Sequence, residues 1–254
     1  MLKLMKSLFL LLLLLGAAHK SILSTPAANP DLSAAEAEFA DLIVAADIKL
    51  NLNDRTTAEQ YLTQATQTLS QNPTMHIYLQ GHFNKVYGKF YMHQNPVIAL
   101  QYFDASNTQF SGNPLEQAEV KMFIGIAHYY ADSLATAKIY FEEAKTAFDS
   151  HGDLQKSAQA LNNIGVVYFR QGDVTNAQLF CQNSLDINSQ IGQKLNARRN
   201  QQNLAIITGS GGVSSSNNPP EDGNEGAAGG TGTGTGSTIT TSGSGTVVVT
   251  TPGG

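Results

Sequence analysis

The amino-acid sequence predicts an all-α fold, an α-solenoid of four helix-turn-helix units followed by a C-terminal capping helix. Three observations carry this expectation. Four alanines, Ala58, Ala99, Ala137 and Ala177, recur at intervals close to 40 residues, each followed three or four residues on by bulky side chains: Tyr61 and Leu62, Tyr102 and Phe103, Tyr140 and Phe141, Phe180 and Cys181. Within the segments, apolar residues recur at three and four, the helical period, and nothing before Gly209 alternates as a strand would. Helix-starting and helix-stopping residues punctuate the chain at matching intervals. A fixed period of this size marks stacked helical pairs, each of which buries its apolar face only against its neighbours.

The chain opens with Met1, Lys3 and Lys6, an apolar run from Leu8 to Leu15, then Gly16-Ala17-Ala18. A charged start, a short apolar centre and small residues after it read as a secretory signal peptide over residues 1–18, with 19–32 as a linker. The run is shorter than the roughly 20 apolar residues that span a bilayer. Without residues 1–18 the chain carries 13 basic and 20 acidic side chains. Nucleic acid and stable membrane insertion are therefore not expected. The lone cysteine, Cys181, has no partner for an internal disulfide, so stability is expected from packing.

The helical domain is expected over 33–208. Ser33-Ala34-Ala35-Glu36 is a capping box that starts the first helix, and Thr56-Thr57-Ala58-Glu59 reads as a second one. Asn95 before Pro96 and Asn113 before Pro114 supply a capping side chain and a proline at the first helical position. Gly112, Gly152, Gly172 and Gly192 stand where helices should stop. The resulting pairs span about 33–71, 74–111, 114–151 and 153–190. A final helix, about 193–208, carries Lys194, Arg198, Arg199, Asn200, Gln201 and Gln202 on one side, with Leu195, Leu204, Ile206 and Ile207 available for the other. One polar face suits the exposed end of a solenoid.

Residues 209–254 are dominated by Gly, Ser and Thr, a composition expected to give a flexible low-complexity tail. Two runs inside it, 237–241 and 246–251, are β-prone and separated by Ser242-Gly243-Ser244-Gly245. They could form a hairpin or donate a strand to an exposed sheet edge.

The unit beginning Ala158-x-x-Leu161-Asn162-Asn163-Ile164-Gly165-x-x-Tyr168, followed by Ala177, Cys181 and Ser184, resembles the tetratricopeptide repeat. The third unit matches through Ile124, Gly125, His128, Ala137, Phe141 and Ala144. The second matches through Val86, Tyr87, Phe90, Ala99, Phe103 and Ser106, with Tyr87 in the glycine position, where it should push the helices apart. The first keeps Ala45, Ala46, Ala58, Leu62 and Ala65. The resemblance implies a right-handed solenoid, here in a longer-helix variant of about 40 residues per unit. It also implies ligands, usually extended peptides, bound along a concave groove lined by the first helix of each pair.

Carried onto this sequence, the groove residues are Asn84, Tyr91, Met122, Tyr129, Tyr130, Asn162, Phe169 and Arg170, with Ile43, Asp47, Met92, Ile126 and Val166 nearby. Asn84, Asn162 and Arg170 stand out, since an apolar core has no use for them. The family's clamp for a terminal carboxylate uses lysine and asparagine in the first unit. Ile43 and Asp47 replace them here, and an aspartate repels a carboxylate. No histidine pair, cysteine pair or glycine-rich phosphate loop is present, so catalytic, cofactor-binding and metal-binding residues are all expected to be none. The sequence thus points to a secreted, non-enzymatic scaffold for a protein or peptide partner. Its rival is a self-associating extracellular structural subunit that uses repeat stacking and the β-prone tail.

Overall fold

The structure, a computed structural model, describes residues 33–209 and two strand segments in the tail. The expected signal peptide, the linker and most of the tail lie outside the described residues. Nine helices follow one another in the described chain: α1 (Ala34–Asn51), α2 (Arg55–Gln71), α3 (Ile77–Tyr91), α4 (Pro96–Gln109), α5 (Pro114–Tyr130), α6 (Leu134–Ser150), α7 (Leu154–Arg170), α8 (Val174–Gln190) and α9 (Lys194–Ile207). They pack as sequential antiparallel pairs, α1 with α2, α3 with α4, α5 with α6 and α7 with α8, and α9 closes the series against α8. The all-α solenoid with a C-terminal helix is therefore the observed architecture.

Local chemistry explains the boundaries. Ser33 accepts from the Glu36 amide while the Glu36 carboxylate accepts from the Ser33 amide, the expected capping box. Helix α2 starts differently from expectation. Asp54 is its cap, accepting from the Thr57 amide, so a carboxylate ahead of the threonines takes the role expected of Thr56. Asn95 and Asn113 cap α4 and α5 ahead of their prolines. Gly112, Gly152, Gly172 and Gly192 all take positive φ at the stops. Asn53 and Asp132 adopt that conformation at two further turns, as short polar side chains can.

Wholly buried rings, Phe103, Phe110, Phe141 and Phe148, fill the core, with Phe103 and Phe141 set against glycines of their own pairs. Where two helices of a pair approach, glycine makes room. A Cβ at Gly125 would stand 2.6 Å from the Phe141 ring, and one at Gly165 would stand 2.6 Å from Cys181 Sγ. In the second pair the corresponding residue is Gly88, whose added Cβ would lie within 2.7 Å of three Phe103 ring carbons. The expectation that Tyr87 occupies this slot and forces the helices apart is corrected. Tyr87 stands one residue away, stacked on Tyr102 with ring centroids 4.9 Å apart, and its hydroxyl is 2.9 Å from Thr66 Oγ1.

The capping helix also departs from expectation. Its buried residues are Asn196, Asn200, Asn203 and Ile207, a helical stripe made mostly of amides, while Leu195 is more than half exposed. The partner surface selects this stripe: α7 and α8 present Asn162, Ser184 and Asn188 to it.

In the tail, β1 (Thr238–Thr241) and β2 (Val247–Thr250) form an antiparallel pair with Thr238 opposite Thr250 and Thr241 opposite Val247. The two β-prone runs thus form the hairpin that the sequence allowed. Strand β2 lies against α9 and α7.

Candidate functional site

The first helices of the pairs, α1, α3, α5 and α7, with α9 after them, make one continuous surface of the solenoid. Neighbouring first helices are joined across it by ion pairs of alternating sign. Lys89 of α3 reaches Asp47 of α1 and bonds Asn51 Oδ1 at 3.2 Å. Lys85 of α3 reaches Glu116 at 3.0 Å and Glu119 at 2.5 Å on α5. Glu119 in turn lies 3.4 Å from Lys156 of α7. Aromatic rings floor this ladder, with Phe110 5.7 Å from Lys85 Nζ and Phe123 5.4 Å from Lys89 Nζ.

Each member is stabilised by its neighbours. Burial disfavours the Lys85 charge, but the Glu119 and Glu116 carboxylates outweigh it and raise the ammonium's pKa. Burial likewise opposes the Glu119 charge, and Lys85 and then Lys156 hold its pKa lowered. A lysine so bound is a fixed cation and not a general base. His82, one turn before Lys85, is wedged edge-on between Tyr78 and Phe110 at centroid distances of 4.7 and 4.9 Å. Burial, followed by the Lys85 charge, lowers its pKa to about 3, so the imidazole is neutral near pH 7. Glu116 stands 4.0 Å from its Nε2, but Lys85 already claims that carboxylate.

At the C-terminal end a network of buried amides joins α7, α8 and α9. Asn162 Oδ1 of α7 accepts from Asn200 Nδ2 at 2.8 Å and Asn203 Nδ2 at 2.9 Å on α9. Asn200 also donates to Ser184 Oγ and accepts from Asn188 Nδ2, both at 2.9 Å. Ser184 Oγ then donates to the Ala158 carbonyl at 2.6 Å. Buried polar groups demand such partners, since each one left unpaired costs about 1–3 kcal/mol.

The residues expected to line a groove divide into three groups. Asn84 and Tyr91 do not reach the first-helix surface. Asn84 donates to Gln109 of α4 at 2.8 Å, and Tyr91 stacks on Tyr102 of α4 at 5.9 Å. The one-residue misplacement of the Tyr87 slot explains both, because a helix turns about 100° per residue. Met122, Tyr129 and Asn162 are buried. The expectation that the core has no use for Asn162 is corrected, because the α7–α9 contact is organised around it. Tyr130, Phe169 and Arg170 keep access to solvent. Arg170 donates to the Tyr129 carbonyl at 2.9 Å, pairs with Asp132 at 3.1 Å and covers the Tyr129 ring.

Lys85, Lys89, Glu116 and Glu119 are the residues that sequence reading missed. Their signal was present: counting from Gly88 in the second unit, as from Gly125 and Gly165 in the next two, places Lys85 and Lys89 on the surface. Among the described residues no three His, Cys, Asp or Glu side chains converge to hold a metal. Cys181 is buried, and burial pushes its thiol up to about 12.

Comparison with known proteins agrees with this geometry. Residues 158–191 match the tetratricopeptide repeat. No curated protein sequence matches. Solved structures of similar fold include the Rap conjugation gene regulator of plasmid pLS20 in complex with a Phr peptide, at 20% identity and a TM-score of 0.57 over 68% of this chain and 48% of that one. A signal transduction ATPase with a tetratricopeptide repeat sensor from Pyrococcus horikoshii is similar at 16% identity and a TM-score of 0.56, over 71% of this chain and 28% of that one. Aspartyl phosphate phosphatase F from Bacillus subtilis follows at 11% identity and 0.53, over 70% and 52%. This chain therefore spans about half of the longer relatives' length or less. One unit, residues 158–191, thus matches a tetratricopeptide repeat, and the nine described helices, paired in sequence, form a helical-repeat fold.

Proposed function

We propose that the protein is a non-enzymatic interaction scaffold whose first-helix surface binds an extended polypeptide. The observation that carries this reading is the construction of that surface. A self-neutralised ladder of side chains, Asp47 to Lys156, leads into an amide-lined end, with no activated nucleophile along it. A surface whose charges are already paired with one another suits an extended chain better than it suits a charged small molecule. The pLS20 regulator, similar in fold, is solved with a peptide bound, which supports the same class of partner here.

Site-specific photo-crosslinking tests the reading. A photoreactive side chain at Arg170 on the first-helix surface, or at the exposed Glu142 of α6 on the second-helix side, is exposed to a library of extended peptides. Crosslinks from the Arg170 position and none from Glu142 are expected. Equal labelling from both would overturn the groove assignment.

We further propose that residues 1–18 direct secretion and that the scaffold works outside the cytoplasm. The support is Lys3 and Lys6 ahead of Leu8–Leu15 and the small residues Gly16-Ala17-Ala18. Among the described residues no helix is long and apolar enough to cross a membrane. Amino-terminal sequencing of the exported protein should begin at His19, and an intact Met1 would reject the proposal.

A further inference from the structure

The amide-lined end of the first-helix surface already has a neighbour within the same chain. Strand β2 lies against α7 and α9, and it makes no comparable contact with α8, the second helix between them. A strand that touches two successive first helices and avoids the intervening second helix sits on the first-helix side.

The burial pattern of α7 agrees. Every residue from Ser157 to Val167 is buried, about three full turns with no open face. Gly165 marks the side that meets α8, through Cys181. Asn163, two residues earlier and so about 200° around the helix, points away from α8 and yet is 0% exposed. On α9, Asn203 is equally buried.

The hairpin's stability argues in the same direction. Two strands alone are marginal in water, so a hairpin of four-residue strands needs packing from elsewhere. Strand β1 pairs with one edge of β2, and the other edge carries backbone donors and acceptors that helices cannot extend as a ladder. Side-chain amides can meet them, and α7 and α9 supply those amides at this place. The 28 residues between Gly209 and Thr238 have a contour of roughly 90 Å, ample to return the strand from the end of α9.

We propose that β2 is the resident occupant of the amide-lined end of the first-helix surface, held in cis, so that an external extended segment enters there only when the hairpin leaves. This rests on the reading of that surface as a polypeptide site and adds its regulation. Tethering makes the cis segment a strong competitor, at effective concentrations on the order of mM.

The test uses the full chain and a fluorescent peptide spanning residues 237–251, in the wild type and in a Val248→Pro/Val249→Pro variant, whose prolines remove strand donors. In the wild type the amides of 247–250 should exchange at least tenfold more slowly than in the free peptide, independently of protein concentration, and the added peptide should bind poorly. In the variant, with circular dichroism unchanged, the peptide should bind at least tenfold more tightly. Free-peptide exchange rates in the wild type, or equal peptide binding by both proteins, would overturn the proposal. Protection appearing only at high concentration would mean exchange of tails between copies and would overturn the cis assignment. The protection measurement involves no external partner, so it reads the docking separately from the general polypeptide-binding reading.

Discussion

Substituting Gly88 with alanine isolates the packing decision on which the placement of the ion ladder depends. Two effects oppose each other. Alanine in place of a mid-helix glycine favours the helix by about 1 kcal/mol. Against this, the new Cβ would lie within 2.7 Å of three Phe103 ring carbons, where about 3.5–4.0 Å is comfortable. The ring has nowhere to retreat, being wholly buried and stacked on Phe123 at 5.8 Å. Relief requires moving α3 away from α4, which places the overpacking cost near the top of the usual range, about 3 kcal/mol. The net expectation is a loss of about 2 kcal/mol, or roughly 4–8 °C in Tm for a domain of this size. Urea and thermal unfolding followed by circular dichroism measure it. Tyr87→Ala is the companion variant. It should also destabilise, by removing the stacking on Tyr102 and the hydroxyl contact with Thr66. A Gly88→Ala protein as stable as the parent, or a Tyr87→Ala protein more stable than it, would refute the reasoning and return Tyr87 to the close-approach slot.

Acid should weaken the fold through His82. Its pKa is about 3 when folded against an ordinary 6.5, so between those values the unfolded chain binds a proton that the native state refuses, and stability falls as pH falls. The contribution is about 1.4 kcal/mol per pH unit. His82→Phe should flatten the dependence of the urea midpoint between pH 6.5 and 5, above the range where carboxylates contribute, and an unchanged slope would exclude the histidine as its source. Glu119→Gln removes the charge between Lys85 and Lys156. Because Glu119 is partly exposed and Lys85 retains Glu116, the loss should be about 1–2 kcal/mol, and a variant as stable as the parent in urea would show that the ladder is only surface decoration. Asn162→Leu removes the acceptor shared by Asn200 and Asn203 and should cost about 2–3 kcal/mol. The same experiment should show faster amide exchange in α9 than in α1, and uniform exchange would contradict the localised effect.

The sequence alone determined the helices and their order, because the information is local. Ser33 with Glu36, Asn95 with Pro96, Asn113 with Pro114 and the four stop glycines act within a turn of where they stand, and the alanine period near 40 residues follows from identical pair-to-pair contacts. It also marked the two β-prone tail runs, whose strand propensity is a property of the residues themselves. Only the tertiary structure decided which face each residue joins. Tyr87 and Gly88 differ by one position, and choosing between them rotates all of α3 by about 100°, which moves Asn84 and Tyr91 off the first-helix surface and brings Lys85 and Lys89 onto it. Asn162 reads as a binding residue until α9 is seen to bring Asn200 and Asn203 to its carbonyl. Partners 38 and 41 residues away leave no trace in local spacing, because a buried amide and a solvent-facing one are the same residue until the chain folds around it.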